Sequence, residues 1–203
     1  KQELTRDLDT DNAIGLDMSL PKLYVDSNGN TPDFPKPYRT MESKIKREQR
    51  KLSRKEKGSK NYEKQRIKLA KQHAKAKHLR NDVLHKLSCA LTDRYDLIAI
   101  EDLDMSAIKR SLRFGKSASD NGWGMFTDML SYKAKRKGKQ LVKVDRWFPS
   151  SKTCSHCGHI HKELRLSDRI YLCPKCGHTM DRDQQAAQNI VKEAKRMLLN
   201  AAF

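Results

Sequence analysis

Apolar positions along this chain fall into two rhythms. Short, mostly apolar runs of three to five residues appear at Ala13-Ile14-Gly15-Leu16, Leu23-Tyr24-Val25, Leu97-Ile98-Ala99-Ile100 and Gln140-Leu141-Val142-Lys143-Val144. Such runs, bounded by polar residues, predict strands. The first ends in Asp17 and the third in Glu101. After Val25, Asp26-Ser27-Asn28-Gly29-Asn30 predicts a turn, and a third strand fits before Pro35.

Elsewhere the spacing is helical. Pro32, Pro35 and Pro37 break the chain, and two helices are predicted at 39–57 and 60–92, divided by Gly58-Ser59. The second is weakly striped at Ile67, Ala70 and Ala74 but gains an apolar face at Val83, Leu84, Leu87, Ala90 and Leu91. Cys89 lies on that part and reads as core. Residues 104–120 are polar, basic and serine-rich and read as a loop. A helix is predicted over 121–137, carrying Trp123, Phe126, Met129, Leu130 and Tyr132 and stopped by Gly138. A last helix, 185–199, turns Ala186, Ala187, Ile190, Val191 and Ala194 inward. Strands separated by helices predict an α/β fold.

Charge sharpens this picture. The 203 residues carry a formal net charge of +18. Residues 36–80 hold eighteen Lys and Arg against four Glu, so most of the excess sits on the two long helices. Pairing along a helix cannot neutralise that imbalance, so a polyanion is expected against it, with nucleic acid first. An acidic membrane surface is the other possible polyanion, but no run approaches eighteen apolar residues, and the expectation is nucleic acid with no membrane partner. No signal peptide is evident, which places the cysteines in a reducing compartment. The chain begins at Lys1 in a polar stretch, which suggests missing upstream sequence.

Two Cys-x-x-Cys knuckles, Cys154/Cys157 and Cys173/Cys176, stand fifteen residues apart. That spacing predicts one structural zinc held by four thiolates, with Gly158 and Gly177 turning each knuckle and a short hairpin in 159–172. Two disulfides or a redox pair are the weaker alternatives. Four thiolates leave no open position for catalysis, so chemistry must lie elsewhere. Asp17, Glu101 and Asp183 are the candidates. If the two strands are neighbours and the last helix packs over them, the three carboxylates converge. They then need divalent cations between them, and hard oxygen ligands select Mg2+ or Mn2+. Two ions ~3.5–4 Å apart can activate a water and stabilise the leaving oxygen of a phosphodiester. Taken alone, Asp17 reads as an ordinary acid at a strand end and Asp183 as an acid favoured by a helix dipole. Asp181 suits a cap better.

The order Ile-Gly-Leu-Asp17, Ile-Ala-Ile-Glu101-Asp-Leu, Arg-Trp-Phe-Pro-Ser-Ser-Lys-Thr-Cys154, Cys173-Pro-Lys-Cys176-Gly and Asp-Arg-Asp183 resembles the transposon-encoded TnpB proteins. These are similar to the nuclease half of type V CRISPR effectors. The resemblance covers about residues 12 to 200. It implies an RNase H-like (RuvC) mixed sheet with a long basic helical insertion and an inserted zinc ribbon. The implied layout is a nuclease core over 1–147 with the insertion at 36–92, a target-strand-contacting ribbon over 148–180, and the last core segment over 181–203. The family's N-terminal recognition half is missing. The implied activity is RNA-guided DNA cleavage by Asp17, Glu101 and Asp183 with two Mg2+ or Mn2+ ions. The implied partners are guide RNA and target DNA, in a prokaryotic cytoplasm at the nucleoid. Ser19 and Gln185 stand where the family usually has glycine and asparagine. The competing expectation is a catalytically silent RNA-guided or basic DNA-binding repressor; a strand-transferring transposase on the same fold is a third.

Overall fold

In a computed structural model, residues 9–111, 120–165 and 167–201 are described. Strands β1 (Ala13–Ser19), β2 (Leu23–Asp26), β3 (Leu97–Glu101) and β4 (Gln140–Val144) form one mixed sheet in the order β2-β1-β3-β4. β2 runs antiparallel to β1, whereas β3 is parallel to both β1 and β4. Successive side chains on a strand point to opposite faces. One face therefore carries Ile14, Leu16, Ile98 and Ile100, which pack with Leu84, Leu91, Trp123, Phe126 and Leu130. The other face carries Gly15, Asp17, Ala99 and Glu101.

The first face is covered by α2 (Lys60–Arg94) and α4 (Trp123–Arg136); the second by α5 (Arg182–Ala201). Ala99 and Val144 pack there with Ile190 and Ala194. The small residues matter. A Cβ at Gly15 would stand 2.0 Å from the backbone oxygen of Ala187, so only glycine lets α5 lie this close to β1.

α1 (Pro37–Ser53) and α2 form a hairpin over a thin seam of Met41, Ile45 and Ala76, with Tyr38 and Leu69 beside it. Buried Gln65 donates to the Glu48 carbonyl and carboxylate at 3.1 and 2.8 Å. Ser59 caps α2 by accepting from the Tyr62 amide. α1 has no cap of its own; the Asp120 carboxylate accepts from the Tyr38 and Arg39 amides instead. Asn121 donates to the carbonyls of Ser19 and Leu20, pinning the β1–β2 connection.

Several expectations change. No third strand precedes Pro35 among the described residues, because Asp26 takes the amides of Asn28 and Asn30 into a turn and the prolines after it cannot feed a ladder. The helices expected at 39–57, 60–92 and 121–137 run over Pro37–Ser53, Lys60–Arg94 and Trp123–Arg136. Part of the loop expected at 104–120 is helix α3 (Met105–Ser111), started by Asp104, whose carboxylate accepts from the amides of Ser106 and Ala107. Residues 112–119 of that loop, like the polar start over 1–8, lie outside the described residues. Cys89 and Ala90 are exposed rather than core. Ser88 and Thr92 are buried there, since their hydroxyls donate to the carbonyls of Leu84 and Ser88. Tyr132 is exposed too, its hydroxyl meeting His85 at 3.5 Å.

Candidate functional site

Asp17 and Glu101 point to the same side of neighbouring parallel strands. The β1–β3 register pairs Leu16 with Ile100, and the two acids follow one step on. α5 brings the third acid. Ala187 lies against Gly15, and Asp183 is one helical turn earlier on the same side. Asp181 directs that start: its carboxylate accepts from the amides of Asp183 and Gln184, both at 3.0 Å. It is a cap, as expected, and leaves Asp183 to the site. Asp17, Glu101, Asp181 and Asp183 line one open cavity of about 630 Å³, with Ser150, Ser151, Arg169 and Arg182 in its wall. Arg182 meets one Asp183 oxygen at 3.2 Å and Arg169 approaches the other at 3.9 Å.

The charges are crowded. Burial pushes the Glu101 carboxyl up to about 7. Asp17 is raised well above the ordinary carboxylate range by burial, then by the charges of Asp183 and Glu101. A hard donor set in which Asp17 is raised by two neighbouring carboxylates fits a divalent cation, which would relieve that repulsion. Among the described residues, only the four cysteines gather ligand atoms within 4.8 Å of one another, so the three acids are not all that close. Ligands of two different ions ~3.5–4 Å apart need not be.

A pH dependence follows. In the metal-free protein, Glu101 holds its proton more tightly when folded than when unfolded. It therefore favours the fold below its unfolded value, and that contribution is lost as pH rises through about 7. Compared with Glu101→Gln, the metal-free wild type is expected to lose thermal midpoint between about pH 5 and 8. Magnesium should remove the difference. Parallel melting curves without magnesium would contradict the effect of burial on Glu101.

The cysteines form the second cluster. Sγ–Sγ distances of 3.7 Å (Cys154 to Cys176) and 3.6 Å (Cys157 to Cys173) match the ~3.8 Å edge of a tetrahedron with Zn–S of ~2.3 Å. The set can hold one zinc ion. Each knuckle is built alike. The Cys154 amide donates to the His159 carbonyl and Gly158 to Cys154; Cys173 donates to His178 and Gly177 to Cys173. Gly158 and Gly177 adopt φ of 73° and 71°, which a side chain would strain. Burial would raise the Cys173 thiol, but the amides of Cys176 and Lys175 hold it down at about 6. The expected hairpin in 159–172 is displaced. β5 (Ile170–Leu172) pairs with β6 (Thr179–Asp181) around the second knuckle, and a Thr153–Ile160 bridge flanks the first.

The cluster is fastened to the acids in a way the sequence did not reveal. Buried Gln185 (0% exposed) and Asn189 (3% exposed) on α5 donate to the Thr153 carbonyl at 2.7 and 2.6 Å. Asn189 also reaches the Ser150 carbonyl, Gln185 accepts from the Ser155 hydroxyl, and Lys192 donates to the Ser155 carbonyl. An amide two residues after an acid, with another one turn on, was the available signal.

A family model described as "Probable transposase" (OrfB, IS605 type) matches residues 1–112, and one described as "Cas12f1-like, TNB domain" matches residues 123–190. A Streptomyces pristinaespiralis protein named "Putative RNA-guided DNA endonuclease" is 39% identical over 179 residues, spanning 88% of this chain and 44% of its own length. InsQ of Escherichia coli (strain K12), with the same description, is 32% identical over 200 residues, spanning 91% of this chain and 50% of its own. The chain thus spans about half the length of these relatives. The solved Cas12f1-sgRNA-target DNA complex shares the fold, with a TM-score of 0.60 at 18% identity over 88% of this chain and 49% of that one. No helix among the described residues is long and apolar enough to cross a membrane.

Proposed function

This chain belongs to the TnpB family, and from that premise we propose that it is the nuclease part of an RNA-guided DNA endonuclease with a RuvC-like, RNase H-type site. The observation that carries the reading is the convergence of Asp17, Glu101 and Asp183 on one cavity from two parallel strands and a crossing helix. Asp17, Glu101 and Asp183 would hold Mg2+ or Mn2+. Bound there, two such ions would supply an activated water and charge neutralisation at the scissile phosphate. The protein's own residues do the rest. Asp181 fixes the helix start that aims Asp183. Arg169 and Arg182, in the same wall, provide donors for a phosphate oxygen. Cys154, Cys157, Cys173 and Cys176 would hold structural zinc and keep the target-strand-contacting ribbon folded beside the cleft.

Guide RNA and target DNA are the proposed partners, with the α1–α2 hairpin as an electrostatic surface for phosphates. Binding through it should weaken by roughly 10³-fold or more between about 50 and 200 mM salt. A filter-binding series with the intact protein checks this, and a nearly flat response would remove the hairpin from the interface. The proposed setting is the prokaryotic nucleoid.

The deciding experiment loads the full-length protein with guide RNA and titrates magnesium against a matched DNA. Cleavage that follows the metal and stops on chelation supports the nuclease. Tight binding without a cut at any magnesium or manganese concentration would instead make the protein a silent RNA-guided regulator.

A further inference from the structure

The two tryptophans of the chain have opposite settings. Trp123 is 2% exposed in the main core, whereas Trp147 is 85% exposed. Single exposed apolar residues are ordinary on a protein surface. Trp147 differs in how it is held and where it stands. The Asp145 carboxylate accepts its amide at 2.7 Å, and the Asp145 carbonyl accepts the Phe148 amide at 3.0 Å. Phe148 turns inward against the cluster of Val144, Ile190 and Ala194. One aromatic ring anchors this turn while its neighbour is presented to solvent.

The turn leads from the strand beside Glu101 to the wall of the acid cleft. Val144 pairs with Glu101 across the β3–β4 ladder, and Ser150 and Ser151 line the cavity of Asp17, Glu101 and Asp183. Arg146 and Lys143 flank the turn, sharing Asp102 at 3.3 and 3.7 Å, with their side chains well exposed. A flat exposed ring three residues before the cleft-lining Ser150, on a turn whose backbone is held and with cations beside it in the chain, suits a nucleobase. Stacking needs only a π-face, and the cations suit the flanking phosphates.

We propose that Trp147 is a stacking platform for an unpaired base of the DNA strand led into the acid cleft. It places the backbone by holding a base next to the phosphate at the acids. The inference rests on the nucleic-acid reading above but not on cleavage.

The test uses the full-length protein carrying Asp17→Ala, so that bound DNA stays intact, and a short oligodeoxythymidylate as the probe. Subtracting the emission of Trp147→Phe from that of Trp147 protein isolates this one indole. Addition of the oligonucleotide is expected to quench that difference signal. Trp147→Ala should weaken binding by roughly 5- to 150-fold, and Trp147→Phe should recover most of the loss. The salt slope of binding should stay the same in all three, because no phosphate contact is removed. A purely structural role would not produce that quench. The inference is overturned if the signal does not move, or if Trp147→Ala binds within about twofold of the parent. It is also overturned if the difference emission is already that of a buried indole before DNA is added, which would mean that another part of the protein covers the ring. Quenching without cleavage in the wild type would sink the nuclease reading alone; cleavage without quenching would sink only this inference.

Discussion

Replacing Asp17 with alanine is expected to abolish DNA cleavage and, in the metal-free protein at neutral pH, to raise the melting temperature. The two effects share one cause. Asp17 sits among protein atoms beside Asp183 and Glu101, and its carboxylate is held against both burial and like charge. That arrangement opposes folding unless a cation is present, so deleting the acid relieves the fold. It also deletes a ligand that the proposed chemistry needs in its transition state, for a fall of roughly 10³-fold or more in rate. Guide-RNA binding should stay within a few-fold, since the basic hairpin lies on other elements. Single-turnover cleavage, a melting curve without magnesium and an RNA titration on the same preparation check all three. Undiminished cleavage by purified Asp17→Ala protein would end the two-ion reading.

If the four cysteines hold zinc as proposed, removing it should have the second-largest effect, on the ribbon first and on cleavage through it. The described residues of 150–180 form only short ladders and a small cluster of Cys154, Leu164, Tyr171 and Cys173. Structural zinc supplies an apparent ~10–16 kcal/mol in such small motifs. A zinc-selective chelator in excess magnesium is therefore expected to expose the amides of 150–180 to hydrogen exchange while the main sheet stays protected. Gln185 and Asn189 then lose the Thr153 and Ser150 carbonyls, and each unpaired buried amide costs about 1–3 kcal/mol. The helix start that carries Asp183 loosens, and cleavage should fall roughly tenfold or more, returning when zinc is restored. Cys154→Ser should reproduce the loss without recovery. Cleavage that survives complete zinc removal would show that the ribbon and the acids are independent.

The parts of this fold that the sequence made legible are those fixed by short-range chemistry. Two apolar runs of matching length, each closed by an acid, put Asp17 and Glu101 at corresponding strand positions; that the strands are neighbours is a long-range pairing that only the sheet itself supplies. The doubled knuckle is similar: a tight turn brings two sulfurs together whatever surrounds it. The aligned inward residues of the last helix, from Ala186 to Ala194, were equally readable from their spacing. What escaped depends on distant partners. Nothing near Pro37 signals that Asp120 caps α1. Cys89 looks like core by pattern, yet the burial passes to Ser88 and Thr92, whose hydroxyls are satisfied within their own helix. Gly15 reads as one more small residue until Ala187 is seen pressed against it.

The close seating of α5 on β1 has a consequence for synthesis. Asp17 and Glu101 leave the ribosome well before Asp183, and a nascent chain grows at ~5–20 residues per second. For several seconds it can carry the basic hairpin and two of its acids without the third. A product cut short before α5 would keep the basic hairpin but lack the third acid of the cleft.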